Sequence, residues 1–246
     1  MHDIQKRKPL VILKTGRKIP SLASVGGDYE DWIATGMGWP ADAVQVLDTG
    51  AGDPLPALDS VAGIAITGSG SMVTEREGWM LRAADWLGEA VQREVPVLGI
   101  CFGHQLLAHA LGGEVDYNPL GVEVGTVEVT LADAATEDPL FSALPPRLWA
   151  QLSHRQSVRA LPPGATLLGT SEMEPHQGFA FGRQAWGVQF HPEFDEQIIP
   201  HFVEYYREIL DEQSRSVDTL KASVRPTPES RRLLQRFAEI VRNRDR

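Results

Sequence analysis

Two kinds of hydrophobic pattern alternate along the first half of the chain. Short, nearly continuous apolar runs fall at residues 10–13, 44–47, 62–66 and 95–100, as suits strands covered on both faces. Between them, apolar residues recur three and four apart. Residues 28–38, bounded by Gly26-Gly27 and Gly36, predict one helix, and residues 75–93, with Trp79, Leu81, Ala83, Trp86, Leu87 and Val91 on one face, predict another. A further helical pattern follows the run at 95–100 and stops at Gly112-Gly113. Residues 14–24 and 50–56 read as loops.

Beyond Gly113 the pattern changes. Residues 122–131 alternate, and 147–152, 165–169, 178–181 and 185–190 add further strands, the last two joined through Phe181-Gly182-Arg183-Gln184 as a hairpin. Residues 198–210 predict a closing helix, 211–226 a polar linker or loop, and 227–246 a last helix with Thr227 as N-cap and Pro228 at its first position. Leu233, Leu234, Phe237, Ile240 and Val241 form one face of that helix. The face suits packing on its own domain; docking of a partner or a second copy is the alternative. The predicted fold is therefore α/β, a mostly parallel central sheet flanked by helices with a smaller antiparallel extension. Its domains are 1–210, a linker or loop at 211–226 and a helical appendage at 227–246.

Composition narrows the function classes. The 246 residues are 42% hydrophobic and 23% charged with a net charge of −10, ordinary for a soluble domain and contrary to a general nucleic-acid binder. A single cysteine excludes an internal disulfide framework and a multi-cysteine metal site. The start, Met1 to Lys8, is basic, but the apolar run after it is too short for a signal peptide, and no run approaches membrane-spanning length. The expectation is a cytoplasmic protein that engages neither membrane nor nucleic acid. No phosphate-binding Gly-rich loop with lysine and no metal-ligand cluster is present, so no metal or cofactor is expected. The six tryptophans read as core and packing residues, His104 and His109 as structural helix residues, and His176, on a Pro-containing loop, as exposed.

The candidate chemistry begins at Gly99-Ile100-Cys101-Phe102-Gly103. A cysteine on a tight strand-to-helix turn is held at the carboxyl end of the sheet beside the first helical N–H groups, whose partial positive charge favours a thiolate. Gly99 and Gly103 suit an elbow whose crowded backbone leaves little room for a Cβ. A second segment, Trp186-Gly187-Val188-Gln189-Phe190-His191-Pro192-Glu193, ends a strand with an imidazole and a carboxylate two residues apart. A cysteine nucleophile needs a base, and the base needs an orienting acceptor; His191 and Glu193 supply both.

Gly-Ile-Cys-Phe-Gly-His-Gln and Gly-Val-Gln-Phe-His-Pro-Glu, in this order and spacing, resemble the two signatures of class I (triad-type) glutamine amidotransferase domains. The resemblance runs from about Leu10 to Leu210. It is strongest toward the amidase domain of GMP synthase and its stand-alone relatives, whose Glu-x-Gly and Ser-His elements are similar to Glu123-Val124-Gly125 and Ser153-His154. It implies flavodoxin-like layering and hydrolysis of glutamine through a γ-glutamyl thioester on Cys101, with His191 and Glu193 completing the triad. The backbone N–H groups of Phe102 and Ser69 would form the oxyanion hole. Gly68, Gln105, Ser153 and His154 would meet the substrate, the last two largely through backbone. The chain departs from the family in two places. Gly68-Ser69-Gly70 replaces the usual Gly-Gly-Pro, so either this loop takes another conformation or its N–H is less well placed. Arg155-Gln156 replaces Gly-Asp, adding a cation near the mouth.

No ATP-using synthetase domain is expected in the chain. Three readings follow. The first is an amidase that delivers ammonia to a separate synthase subunit. The second is a self-sufficient γ-glutamyl hydrolase or peptidase acting on γ-glutamyl amides or peptides. The third, against which the complete triad argues, is a catalytically silent binding protein.

Overall fold

A computed structural model describes residues 8–244; the basic start at residues 1–7 and the last two residues of the final helical pattern lie outside the described residues. Strands β1 (Leu10–Lys14), β2 (Val44–Asp48), β3 (Gly63–Ile66) and β4 (Val97–Ile100) are parallel neighbours in the order β2-β1-β3-β4. Helices α1 (Tyr29–Met37), α2 (Gly78–Gln92) and α3 (Phe102–Ala110) fall between and after them. The sheet then continues through β11 (Ala185–Val188), parallel to β4, and on through β10 (Gly178–Phe181), β9 (Thr166–Thr170), β6 (Glu123–Leu131) and β7 (Arg147–His154), all antiparallel to their neighbours. This is the mostly parallel sheet with an antiparallel extension that the hydrophobic pattern predicts. Two elements escape that reading: β5 (Glu114–Tyr117) and β8 (Gln156–Ala160) form a separate two-stranded sheet.

Strands β1, β3 and β4 are apolar on both sides because each side is covered, whereas β2, at the sheet's edge, leaves Gln45 and Val46 exposed. Leu10, Ile12, Ala65, Leu98 and Ile100 face α1 and the last helix, α7 (Pro228–Arg244). Val11, Leu13, Ile64, Ile66 and Val97 face α2 and α3. A third cluster joins Leu22, Tyr29, Val122, Val124 and Phe194 to α4 (Ile199–Tyr205) and α5 (Arg207–Glu212). The helix predicted over 198–210 is broken at Tyr206, whose φ of −95° and ψ of 14° separate α4 from α5. Within residues 211–226 the short helix α6 (Val217–Ala222) buries Val217, so this stretch is not wholly linker or loop. Only Trp186 of the six tryptophans is fully buried. The others are half-buried, and Trp39 and Trp149 lie under the guanidinium groups of Arg242 and Arg225. His176 is half-buried rather than exposed, because its Nδ1 bonds the Val158 carbonyl at 2.6 Å.

The terminal helix is built into the core. Leu233, Leu234, Phe237, Ala238 and Val241 are wholly buried, and Phe237 meets the Trp186 ring edge-on at 6.3 Å. Gly36 and Gly63 are glycines because Leu234 and Val241 already fill the space a Cβ would take, at 2.4 and 2.6 Å. Truncation of so buried an aromatic leaves a cavity, so Phe237→Ala is expected to cost about 3–5 kcal/mol in urea unfolding. A cost below about 1 kcal/mol would show that the helix is dispensable to the fold.

Candidate active site

The sheet register brings the two motifs together. Ile100 of β4 pairs with Val188 of β11, and the Cys101 N–H continues the ladder to the Val188 carbonyl at 2.9 Å. Both strands run the same way, so they deliver Cys101 and, three residues past Val188, His191 to the same carboxyl end of the sheet.

Cys101 is one of four described non-glycine residues with a positive φ, at 52° with ψ −103°. Such a conformation costs about 1–3 kcal/mol and is held by its surroundings. Those surroundings are the two glycines the sequence marks. A Cβ on Gly99 would lie 2.3 Å from the Gly103 carbonyl oxygen, and one on Gly103 would lie 2.6 Å from that of Ile66. The elbow is closed backbone on backbone. It leaves Cys101 5% exposed, at the head of α3, whose first N–H groups, Phe102 among them, have no intrahelical acceptor.

His191 is fixed from four directions. Its N–H donates to the Gln151 carbonyl at 2.8 Å, and its Nδ1 donates to Glu193 Oε1 at 2.7 Å. Its ring stacks on Phe194 at 3.9 Å and 7°, with Phe202 stacked behind Phe194. On the other side it abuts Gly68, where a Cβ would stand 2.9 Å from Cε1. Cys101 adjoins it across the same glycine: that Cβ would stand 3.8 Å from Cys101 Cβ. Burial opposes a charge on this imidazole, but Glu193 and Cys101 outweigh it and push its pKa up to about 10. Sulfur, imidazole and carboxylate thus lie side by side, the last two joined by a hydrogen bond, and all three are nearly buried: His191 and Glu193 are 3% and 2% exposed.

The other predicted residues gather around this line. Ser69 and Phe102 line the same cavity of about 210 Å³ as Cys101, Gln105, Ser153, His154 and His191. Ser69 is not at positive φ. Its hydroxyl instead donates to the Thr15 carbonyl at 2.7 Å and accepts from the Ser71 N–H. Thr15 ties the end of β1 to the start of the loop, its N–H donating to Thr67 Oγ1 and its hydroxyl to the Thr67 carbonyl, both at 3.0 Å. The loop therefore holds Ser69 in a backbone conformation open to serine. Gln105 directs its amide nitrogen away from any ligand, to the Gln156 carbonyl and Gln189 Oε1. Ser153 places its carbonyl 3.6 Å from Cys101 Sγ. The His154 ring has no free nitrogen: Nδ1 meets the Gln156 carbonyl and Nε2 meets Glu123, both at 2.8 Å. Its expected contact with a ligand through backbone is the one left open.

Several residues at the site carry no motif. Phe194 is the platform under His191. Tyr29 and Tyr206 both line the cavity, and burial together with the sulfur's charge drives both phenols well above their usual range. Their helical periodicity marks them as apolar-face residues, without indicating a catalytic centre. Arg155 is exposed at the cavity's rim, its guanidinium 5.4 Å over the Tyr117 ring. His104 is fully buried against Phe179, and burial pushes its pKa down to about 3, consistent with a structural role. Among the described residues there is no cluster of side chains suited to a metal ion, and no helix long and apolar enough to cross a membrane.

Residues 53–202 match the family described as glutamine amidotransferase class-I. Over 191 residues the chain is 34% identical to the glutamine-hydrolysing GMP synthase of Aeropyrum pernix, covering 77% of this chain but only 34% of that one. It is 32% identical to one subunit of the glutamine-hydrolysing GMP synthase of Methanopyrus kandleri, over 71% of this chain and 83% of that protein. With gamma-glutamyl peptidase 5 of Arabidopsis thaliana it shares 29% identity over 81% and 80% of the two chains. A glutamine amidotransferase structure from Thermotoga maritima superposes with a TM-score of 0.73, at 25% identity over 94% of this chain and 97% of that one. The elbow cysteine, the parallel β4–β11 register and the match over more than half the sequence agree, and the chain belongs to the class I glutamine amidotransferase family of enzymes.

Proposed function

We propose that this protein hydrolyses the side-chain amide of glutamine to glutamate and ammonia through a γ-glutamyl thioester on Cys101. The observation that carries the reading is the buried line Cys101–His191–Glu193 at one end of a 210 Å³ cavity. In the first step the sulfur attacks the amide carbon, and His191 gives its proton to the departing nitrogen. In the second, the same imidazole takes a proton from water, which attacks the thioester and releases glutamate. Glu193 holds Nδ1 and stabilises the imidazolium throughout. The N–H groups of Phe102 and Ser69 receive the negative oxygen, an interaction whose loss typically lowers rate by about 10²–10³. Gly68, Gln105, Ser153 and His154 surround the glutamyl group, Gly68 by leaving room beside the imidazole. No metal or cofactor enters these steps. A lone cysteine kept as a free thiol suits a cytoplasmic setting.

The relatives divide over the leaving group. Likeness to one component of a multi-subunit GMP synthase supports delivery to a separate synthase partner. Likeness to a gamma-glutamyl peptidase across four fifths of both chains supports self-sufficient hydrolysis of γ-glutamyl amides or peptides. The purified protein assayed against glutamine and a panel of γ-glutamyl amides and dipeptides separates them. Slow release of ammonia from glutamine, with the dipeptides inert, is the result expected of a synthase-dependent amidase. Rapid turnover of a γ-glutamyl peptide by the protein alone would transfer the conclusion to the peptidase. No turnover of any compound would leave only the silent binding protein.

A further inference from the structure

Two histidine–glutamate pairs face Cys101, and the chemistry above uses one. The other is Glu123 on β6 and His154 at the end of β7, set opposite each other by the antiparallel register. Both side chains are 1% exposed. The hydrogen bonds around the pair bear on its charge. The Gln156 carbonyl can only accept, so His154 Nδ1 carries hydrogen. Glu123 Oε2, which meets His154 Nε2, also accepts from the Gln177 amide nitrogen at 2.8 Å. Oε1 accepts from the Ser171 hydroxyl at 2.6 Å, and that hydroxyl already accepts from the Glu174 N–H and from Gln177 Nε2. The Ser171 hydroxyl and the Gln177 amide thus both donate to Glu123, a setting that favours a carboxylate opposite a doubly protonated His154 ring. The pair also has a direction: His154 lines the cavity with Cys101, whereas Glu123 does not. Its positive end faces the sulfur.

We propose that Glu123 and His154 form a fixed charged pair whose cationic end stabilises negative charge on the Cys101 sulfur, making His154 a positioning residue that exchanges no proton during turnover. The proposal rests on Cys101 being the nucleophile. It divides two jobs between two imidazoles. His191 has one nitrogen held by Glu193 and the other left to move protons; His154 has both nitrogens committed and stays charged. The groups around them agree with this division. Burial works against charge on His154, but Glu123 on β6 and then Glu174 in the loop after β9 outweigh it and push it up to about 9. His104 on α3, beside it, is held neutral, mainly by burial. Burial raises Glu174, so its own charge is resisted. Around the sulfur stand His191 and Glu193 after β11, Tyr29 on α1 and Tyr206 between α4 and α5; both phenols stay neutral.

Cys101 is the only cysteine in the sequence, so the pH dependence of its alkylation by iodoacetamide reads the sulfur without interference. In His154→Gln the profile is expected to move up by about one pH unit, with about tenfold slower labelling below its midpoint. The kcat is expected to fall more than KM rises. Glu123→Gln is expected to shift the profile the same way, because a buried imidazole without its carboxylate sheds its proton. The double variant should go no further than the larger single. A His154→Gln profile that overlays the wild type, or a Glu123→Gln shift in the opposite direction, overturns the proposal. If the variants do not fold, the ¹⁵N imidazole spectrum of the wild type decides: both His154 nitrogens protonated at neutral pH is expected, and a neutral tautomer overturns it. Alkylation needs no turnover, so wild type inert toward every γ-glutamyl compound would remove the amidase reading alone. Active wild type with His154-independent labelling would remove this one alone.

Discussion

Cys101→Ala is expected to abolish hydrolysis of every γ-glutamyl compound the protein turns over, by at least about 10⁴-fold, while the fold survives. The loss follows from the chemistry. Without the sulfur there is no thioester, and the oxyanion donors and cavity can only assist direct attack by water on the amide, which is far less reactive than a thioester. The fold survives because the site of strain is backbone: alanine inherits the φ of 52° at the elbow, and only one buried heavy atom is lost. His191→Asn should approach the same loss in kcat, since both proton transfers pass through that ring. Ammonia or glutamate release measured beside urea unfolding tests both parts. Retention of more than about a hundredth of wild-type kcat/KM in Cys101→Ala would remove the nucleophile assignment.

Gly99→Ala is expected to be the most damaging small change to the fold. The added Cβ would sit 2.3 Å from the Gly103 oxygen, 2.5 Å from the Gly103 carbon and 2.8 Å from the His104 nitrogen. All three are backbone atoms, so no rotamer change can yield. The strand can move only by disrupting its ladders, because β4 is bonded on one side to β3 and on the other to β11. Either α3 lifts off the sheet or β4 shifts, and overpacking of this severity costs more than about 3 kcal/mol. For a chain of this size that corresponds to a melting temperature lower by roughly 6–12 °C, or to loss of soluble protein. Any folded remainder should be inactive, because the elbow that aims Cys101 is the part displaced. Gly70→Ala is the control: nothing lies within 4 Å of a Cβ there. Equal stability of the two variants would contradict the crowded-elbow account.

Much of this was legible in the sequence, for definable reasons. Buried parallel strands must be apolar on both faces, so β1, β3 and β4 stand out as runs, and the glycines at 99 and 103 announce a turn with no room. The triad was legible because its two halves are short, local motifs. What was not legible depends on register or on the third dimension. β5 and β8 are short and lie in a two-stranded sheet, so neither shows a full buried face. The break at Tyr206 leaves the 3.6-residue periodicity intact on both sides and shows only as a backbone angle. His154 could be singled out by resemblance, but that both its nitrogens are consumed depends on Glu123 lying opposite in β6 and on the turn to Gln156. Phe194 was in plain view three residues after His191, and a search for aromatic platforms beside a proposed imidazole would have found it.

The most direct test of the central claim is intact-mass and peptide-mapping analysis of protein mixed with its fastest γ-glutamyl substrate and quenched in acid at successive times. A γ-glutamyl mass increment on the peptide that carries Cys101, rising before glutamate accumulates and then falling, is the expected result. Glutamate appearing with no adduct on that peptide at any time would contradict it.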